Sequence, residues 1–362
     1  MLVKRRKTTD VVPEKEDYEP PVDFSRLVPT GSIYLNCACS DRPHGGFGLG
    51  RIVNIIGDSD TGKSILALTC LTSVATVPLF DGYDLFYRDS ESADSFDKSK
   101  LFKPLLGRLS ESDFKPDTVE DFYSDLMSKI ASGRKFIYVL DSLDSLTSEA
   151  EKKRVLANAK LNIKSNAPGS KKDAPEKKKG SYGTEIPKTM SSLLRVVKQE
   201  LAKIDSLLVI VSQTRSNIGP SAFFQPKIRS GGEALRFYCT HEIWLGKEKK
   251  IKNGNIEIGK YGYAKVTKNK LTGKKRDAFF PIYYDYGIDD IGSCIDFLVD
   301  VGYWKLRKQT ILAEDLGVEG AKKGIIQHIE KEGQVGKLRR AMGSAWLQRE
   351  KELELDRKPR FG

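Results

Sequence analysis

Residues 57–64 read GDSDTGKS, the spacing G-x-x-x-x-G-K-[ST]. A short apolar run, RIVNIIG (51–57), precedes it, and KSILALTCLTSVA follows with the composition of a largely buried helix. A chain that runs from a core strand through a glycine-bounded loop into a helix has little freedom in how it folds there. Gly57 and Gly62 permit the tight loop, and the backbone N–H groups of Asp58, Ser59, Asp60 and Thr61 can then converge on phosphate oxygens. The helix N-terminus adds a field that favours anions. In this arrangement Lys63 reaches the outer phosphates of a nucleotide and Ser64 offers its hydroxyl to Mg²⁺. The stretch reads as a nucleotide site.

The rest of the chain fits an α/β fold with a mostly parallel central sheet flanked by helices. DLFYRDSE (84–91), FIYVLDSLDSL (136–146) and LLVIVSQ (207–213) read as further strands, and SLLRVVKQELAKI (192–204) as an amphipathic helix. Short apolar runs alternating with helices imply parallel strands covered on both faces. HEIWLG, YGYAKVTKNKL and AFFPIYYDYGI follow as β-rich stretches bounded by Gly/Asn turns. Three regions are expected: an extended polar arm over 1–29, a core over 30–305, and a basic, helical C-terminal region over 306–362.

Charge is unevenly spread. Residues 151–190 hold eleven Lys/Arg against four Asp/Glu, which is more than half of the net +12. A polyanionic partner and a solvated loop both explain that run. Its centre, SNAPGSKKDAPEKKKGSYG (165–183), lacks the apolar content to offset ordering and is expected to be mobile. No apolar run approaches the length of a membrane span, and MLVKRRKTTD lacks the apolar segment of a secretory signal. Five scattered cysteines without zinc-type spacing suit reduced thiols in the cytoplasm.

A phosphate loop needs carboxylates near its metal. Asp141, at the end of FIYVLDS, is the natural second Mg²⁺ ligand, with Asp144 as a rival beyond the apolar run. Glu91 lies past a strand end, where ligands collect in parallel sheets. Asp89 competes with it for the task of positioning a water, and a solvated loop carboxylate is the plain alternative. Gln213 reads as either a sensor of the terminal phosphate or a strand cap. Lys268 and Lys270 are two apart on a strand and therefore project on one side. Finally, SAFFQPKIRSGG (221–232) places two adjacent phenylalanines and two cations in a loop that follows a core strand.

The order TGS (30–32), GRIVNIIG-x₄-GKS, DSES, YVLDSLDSLT, a basic loop, SQTR, SGGEALRFY and KVTKNKL resembles the RecA-type recombinases, and within them a phage-encoded, UvsX-like member. The resemblance spans roughly residues 29–305. It implies an ATP-dependent, Mg²⁺-requiring DNA strand-exchange protein that forms a helical filament on single-stranded DNA and pairs it with homologous duplex DNA. Mediator and single-strand-binding proteins are implied partners. Glu91 becomes the water-activating acid, Asp141 the Mg²⁺ acid and Gln213 the switch between ATP and DNA. Lys268 and Lys270 become cations that reach the ATP of a neighbouring subunit.

Two DNA-binding loops are implied as well. Ser191 and Arg195 are backbone contacts of the first. Arg215, Lys227 and Arg229 neutralise phosphates in the second, Gly231 and Gly232 allow close approach, and Phe223 and Phe224 stack on or wedge between bases. The chain departs from the bacterial pattern at Glu233, where a neutral amide is usual, and in the Lys-rich insertion. An adenine-stacking aromatic is out of register, with Phe96 nearest. Phe24 in the arm is either a polymerisation plug or locally packed. Two alternatives are a RecA-fold hexameric helicase, disfavoured by the roughly 30 residues before the core, and a regulatory ATPase that does not act on DNA.

Overall fold

The structure, a computed structural model, describes residues 23–91, 97–110, 114–165, 185–216, 227–229, 232–358 and 360. It opens with helix α1 (Ile33–Ser40), strand β1 (Arg51–Gly57), helix α2 (Lys63–Ala75) and strand β2 (Asp84–Asp89). Two single-turn helices, α3 (Lys98–Leu101) and α4 (Lys103–Leu106), lead to α5 (Val119–Ala131) and β3 (Phe136–Asp141). Helices α6 (Glu149–Ser165) and α7 (Glu185–Lys203) come next, then β4 (Leu207–Ser216), the short β5 (Lys227–Arg229) and α8 (Gly232–Tyr238). Strands β6 (His241–Asn253), β7 (Ile256–Asn269), β8 (Asp277–Tyr283) and β9 (Gly287–Ile288) run into α9 (Asp290–Asp300).

These strands form one sheet in the order β2-β3-β4-β1-β6-β7-β8-β9, with β5 attached to the far end of β4. The five strands from β2 to β6 in that order pair in parallel, and the remainder pair antiparallel. Alternation along each parallel strand feeds two cores. Val53, Ile55, Val209 and Val211 pack with α1 and α2 on one face, while Ile52, Leu140, Leu208 and Ile210 pack with α5 and α7 on the other. Burial on both faces is why these strands read as continuous apolar runs. Parallel pairing also points the C-terminal ends of β1, β2, β3 and β4 to the same edge.

Local chemistry sets the helix ends. At α5, Thr118 Oγ1 accepts from Asp121 N–H (3.0 Å) and Thr118 N–H donates to the Asp121 carboxylate (3.1 Å), a reciprocal cap. The described parts of the basic run 151–190 are helical, because EAEKKRVLANAK is rich in strong helix formers. Its Lys-rich centre lies outside the described residues. Helix α1, with all eight residues buried, carries no amphipathic period for a sequence reading to detect. Phe24 is half-buried under the Arg42 guanidinium (5.9 Å to the ring centroid).

The C-terminal region begins with a small antiparallel sheet, which is an addition to the expected helices: β10 (Lys305–Arg307), β11 (Thr310–Ala313) and β12 (Val318–Gly320). Strands of three or four residues are too short to show a period. Helices α10 (Lys322–Lys331) and α11 (Val335–Glu352) follow. Trp346 of α11 packs on Phe297 and Tyr34 and donates from its indole to Asp41 (2.9 Å). Arg276 grips Glu350 with two hydrogen bonds (2.7 and 2.8 Å). The apolar cluster that includes β1 therefore continues into α11.

Arg88 on β2 is fully buried, with its guanidinium beside the rings of Phe86, Tyr138 and Phe114 and paired to Asp125 (2.9 Å). Tyr138 also donates to Asp125 (2.8 Å). Removing the carboxylate leaves a buried cation without its counter-ion, so Asp125→Ala is expected to cost about 3–5 kcal/mol in urea unfolding.

Candidate nucleotide site and adjoining basic segment

β1 ends at Gly57 and α2 begins at Lys63, which confirms the strand–loop–helix context of GDSDTGKS. Gly62 caps α2 at φ +93°, and no side chain bonds to the helix end. A Cβ on Gly57 would lie 2.4 Å from Thr61 Oγ1 and 2.9 Å from the Leu245 carbonyl oxygen. Both glycines are therefore needed for this turn. A 13-residue helix whose first turn has no side-chain cap suits a polyphosphate. Lys63 is buried, and its Nζ donates to the Asp58 carbonyl (2.7 Å). Burial pushes its pKa down, against the opposing pull of Asp141, Glu91, Asp144 and Asp58. Ser64, in the first turn of α2, and Asp141 are the residues that would hold Mg²⁺. Such a site completes its shell with phosphate and water oxygens and needs no cage of protein ligands. Among the described residues there is no such cage.

The acids sort themselves by their partners. Asp89 ends β2 in register with Asp141 at the end of β3. Asp141 is buried and accepts from Tyr87 OH (2.9 Å). Asp144 is engaged elsewhere: it accepts the backbone N–H of Gln213 (2.5 Å) and lies 3.6 Å from Arg215. These contacts tie it to the end of β4. Glu91 Oε1 accepts from Ser142 Oγ (2.5 Å) and from Gln213 Nε2 (2.7 Å). Thus Glu91 and Gln213, 122 residues apart, touch directly. Ser142 escaped the sequence reading, although it adjoins Asp141.

The loop's own acids have dedicated cations that no sequence pattern marked. Asp60, at φ +59°, accepts from Lys260, and Lys247 lies 3.2 Å away. Burial raises the Asp60 pKa, but these two lysines outweigh it and hold the carboxyl low. Asp58 accepts from Lys227 and from Thr214, and the hydrogen bond from Lys227 is the main reason its pKa is lowered. Lys227 is placed there because β5 pairs antiparallel with β4, Ser216 opposite Lys227 and Thr214 opposite Arg229. A groove of about 480 Å³ runs from Asp58 and Lys227 past Trp244 and Tyr263 to Lys265.

Lys268 and Lys270 do share one side, as their spacing implies. Both ammonium groups turn to the C-terminal carbonyls of α8: Lys268 to Arg236 and Phe237, and Lys270 to Phe237 (3.3 Å). Cations at a helix C-terminus offset its exposed carbonyls. On α7, Arg195 is exposed and donates to Tyr238 OH (3.2 Å), and Ser191 lies one turn before it. For Arg229 and Gly232 the backbone alone is placed, in β5 and at the start of α8. Phe96, Phe223, Phe224 and Gly231 lie outside the described residues, and Glu233 is placed by its backbone alone, in α8. The structure thus brings together the phosphate loop, Asp141, Glu91, Gln213 and Lys227, with Lys268 and Lys270 grouped separately at α8.

A glycine-bounded phosphate loop at the C-terminal edge of a mostly parallel sheet, with acids from the ends of β2 and β3 at the same edge, defines the P-loop nucleotide-binding class. The family model for the RecA N-terminal domain matches residues 175–289. The protein RecA of Caldanaerobacter subterraneus subsp. tengcongensis is 27% identical over 310 residues, 84% of this chain and 81% of the relative. That of Nitratiruptor sp. is 28% identical over 325 residues, 87% and 84%. That of Frankia casuarinae is 29% identical over 287 residues, 79% and 73%. By these matches the chain is similar to RecA proteins over most of its length, and its sheet is consistent with a RecA-like core. No helix among the described residues is long and apolar enough to cross a membrane.

Proposed function

We propose that this chain is an ATP-dependent, Mg²⁺-requiring DNA recombinase. It assembles as a helical filament on single-stranded DNA, pairs that strand with homologous duplex DNA and exchanges strands during recombination and repair. The observation that carries this reading is the contact of Gln213 with Glu91 on the very strand whose continuation pairs with the basic β5. A displacement at Glu91 is passed along β4 to the segment that carries Lys227 and Arg229.

Bound ATP supplies the phosphoryl group to be transferred, and Mg²⁺ neutralises part of its charge. The chain does the rest. Glu91 takes the proton of the attacking water on its carboxylate, whose orientation Ser142 and Gln213 fix through their hydrogen bonds to Oε1. Lys63 and the loop N–H groups hold the outer phosphates, Tyr87 holds Asp141 in place, and Lys268 and Lys270 face the ATP of a neighbouring subunit. On the DNA side, Ser191, Arg195, Arg215, Lys227 and Arg229 meet phosphates. Phe223 and Phe224 contact bases, and Gly231 and Gly232 admit the backbone. The reading extends to a phage-encoded, UvsX-like subtype working in the (host) cytoplasm with mediator and single-strand-binding proteins.

ATP hydrolysis is expected to rise on adding single-stranded DNA, and electron microscopy with ATP and that DNA to show filaments. Exchange of homologous strands without unwinding of a forked duplex distinguishes this activity from that of a helicase. A hydrolysis rate indifferent to DNA, with no filaments, defeats the proposal. Phe223→Ala/Phe224→Ala is expected to impair strand exchange while sparing DNA-independent ATPase. Equal loss of both would make the loop structural.

A further inference from the structure

Two acids inside a phosphate loop oppose an anionic ligand, so the way each is neutralised is informative. Asp60 is matched by a buried lysine: Lys260 has a side chain 8% exposed, and its Nζ reaches both the Asp60 carbonyl (2.9 Å) and the carboxylate. That pairing is fixed in the fold. Asp58 is neutralised differently. Its partner Lys227 belongs to a basic segment, and the pair is open to solvent, with side-chain exposures of 55% for Lys227 and 43% for Asp58. Ion pairs this exposed contribute little net stability, so another anion replaces the carboxylate at small cost.

The backbone places Lys227 beside Asp58. β5 is tied to β4 through Ser216 opposite Lys227, and β4 also carries Thr214, which donates to the same Asp58 carboxylate. Asp58 in turn holds Lys63 on its carbonyl oxygen (2.7 Å). One residue of the phosphate loop thus touches the phosphate-binding lysine, the strand that carries Gln213 and the basic segment. We propose that Asp58 is an internal competitor for Lys227, occupying that cation in place of a nucleic-acid phosphate and so holding the basic segment against the nucleotide site. This rests on the reading that the segment binds DNA. It adds a second link between the two sites, independent of Gln213.

The test is fluorescence anisotropy of the full chain with a labelled oligothymidylate, without nucleotide, across a salt series. Asp58→Asn is expected to tighten binding about three- to tenfold and to steepen the log-affinity against log-salt slope by about 0.7, the increment for one added contact to a single strand. Asp58→Ser repeats the measurement in case asparagine still retains Lys227. In a Lys227→Met background the same Asp58 change should alter affinity less than about twofold, since the released cation is gone. An equal gain in both backgrounds would mean a long-range charge effect and overturns the competition, as does no gain at all. Failure of the wild type and every variant to bind the oligonucleotide at low salt, with or without ATP, sinks the DNA-binding reading itself. Binding by the wild type without the Asp58–Lys227 coupling overturns this proposal alone.

Discussion

Glu91→Gln is expected to keep ATP binding and lose about 10²–10⁴-fold in kcat, the usual contribution of a positioned general base. The carboxylate is held by Ser142 (2.5 Å) and Gln213 (2.7 Å) on one oxygen. The amide preserves that volume and can still accept both hydrogen bonds, so the fold and the contact with β4 survive while the base is lost. Single-turnover hydrolysis and nucleotide affinity, measured separately, check this. Asp89→Asn is the matched control, because Asp89 ends the same strand opposite Asp141. A larger loss of kcat in Asp89→Asn than in Glu91→Gln would reverse the assignment.

Lys63→Ala is expected to abolish both basal and DNA-stimulated hydrolysis. Removing one charge aimed at the developing phosphoryl oxygens costs at least about 10²–10³-fold in kcat, and the same cation contributes to binding the ground state. Lys63 is buried at the start of α2, where no side chain supplies a substitute cap. ATP affinity and turnover should therefore fall together, which separates it from Glu91→Gln. Circular dichroism should stay unchanged, since among the described residues the Lys63 ammonium donates to a loop carbonyl and to no side chain. Retained turnover in Lys63→Ala would place the phosphates elsewhere.

The parallel strands and the phosphate loop were legible because their signals are contiguous. Strands buried on both faces read as unbroken apolar runs, and GDSDTGKS concentrates its determinants in eight residues. The different partners of Asp141 and Asp144 were less so. Both follow one strand, and they are separated only by where β4 comes to lie, giving Asp144 the Gln213 amide to hold. Helix α1 and the strands of the C-terminal sheet went unread for opposite reasons. The former is buried on all sides and has no polar face, and the latter are too short to repeat.

By itself, then, the sequence determined a nucleotide loop, the sheet that presents it, and a basic segment some 160 residues further on. Only the tertiary structure decided how these act on each other. It placed Gln213 on Glu91, Lys260 on Asp60 and Lys227 on Asp58, across chain separations of 122, 200 and 169 residues. Charges and hydrogen bonds act within a few ångströms of space. The order of strands in the sheet, which no local pattern encodes, therefore selects each acid's partner.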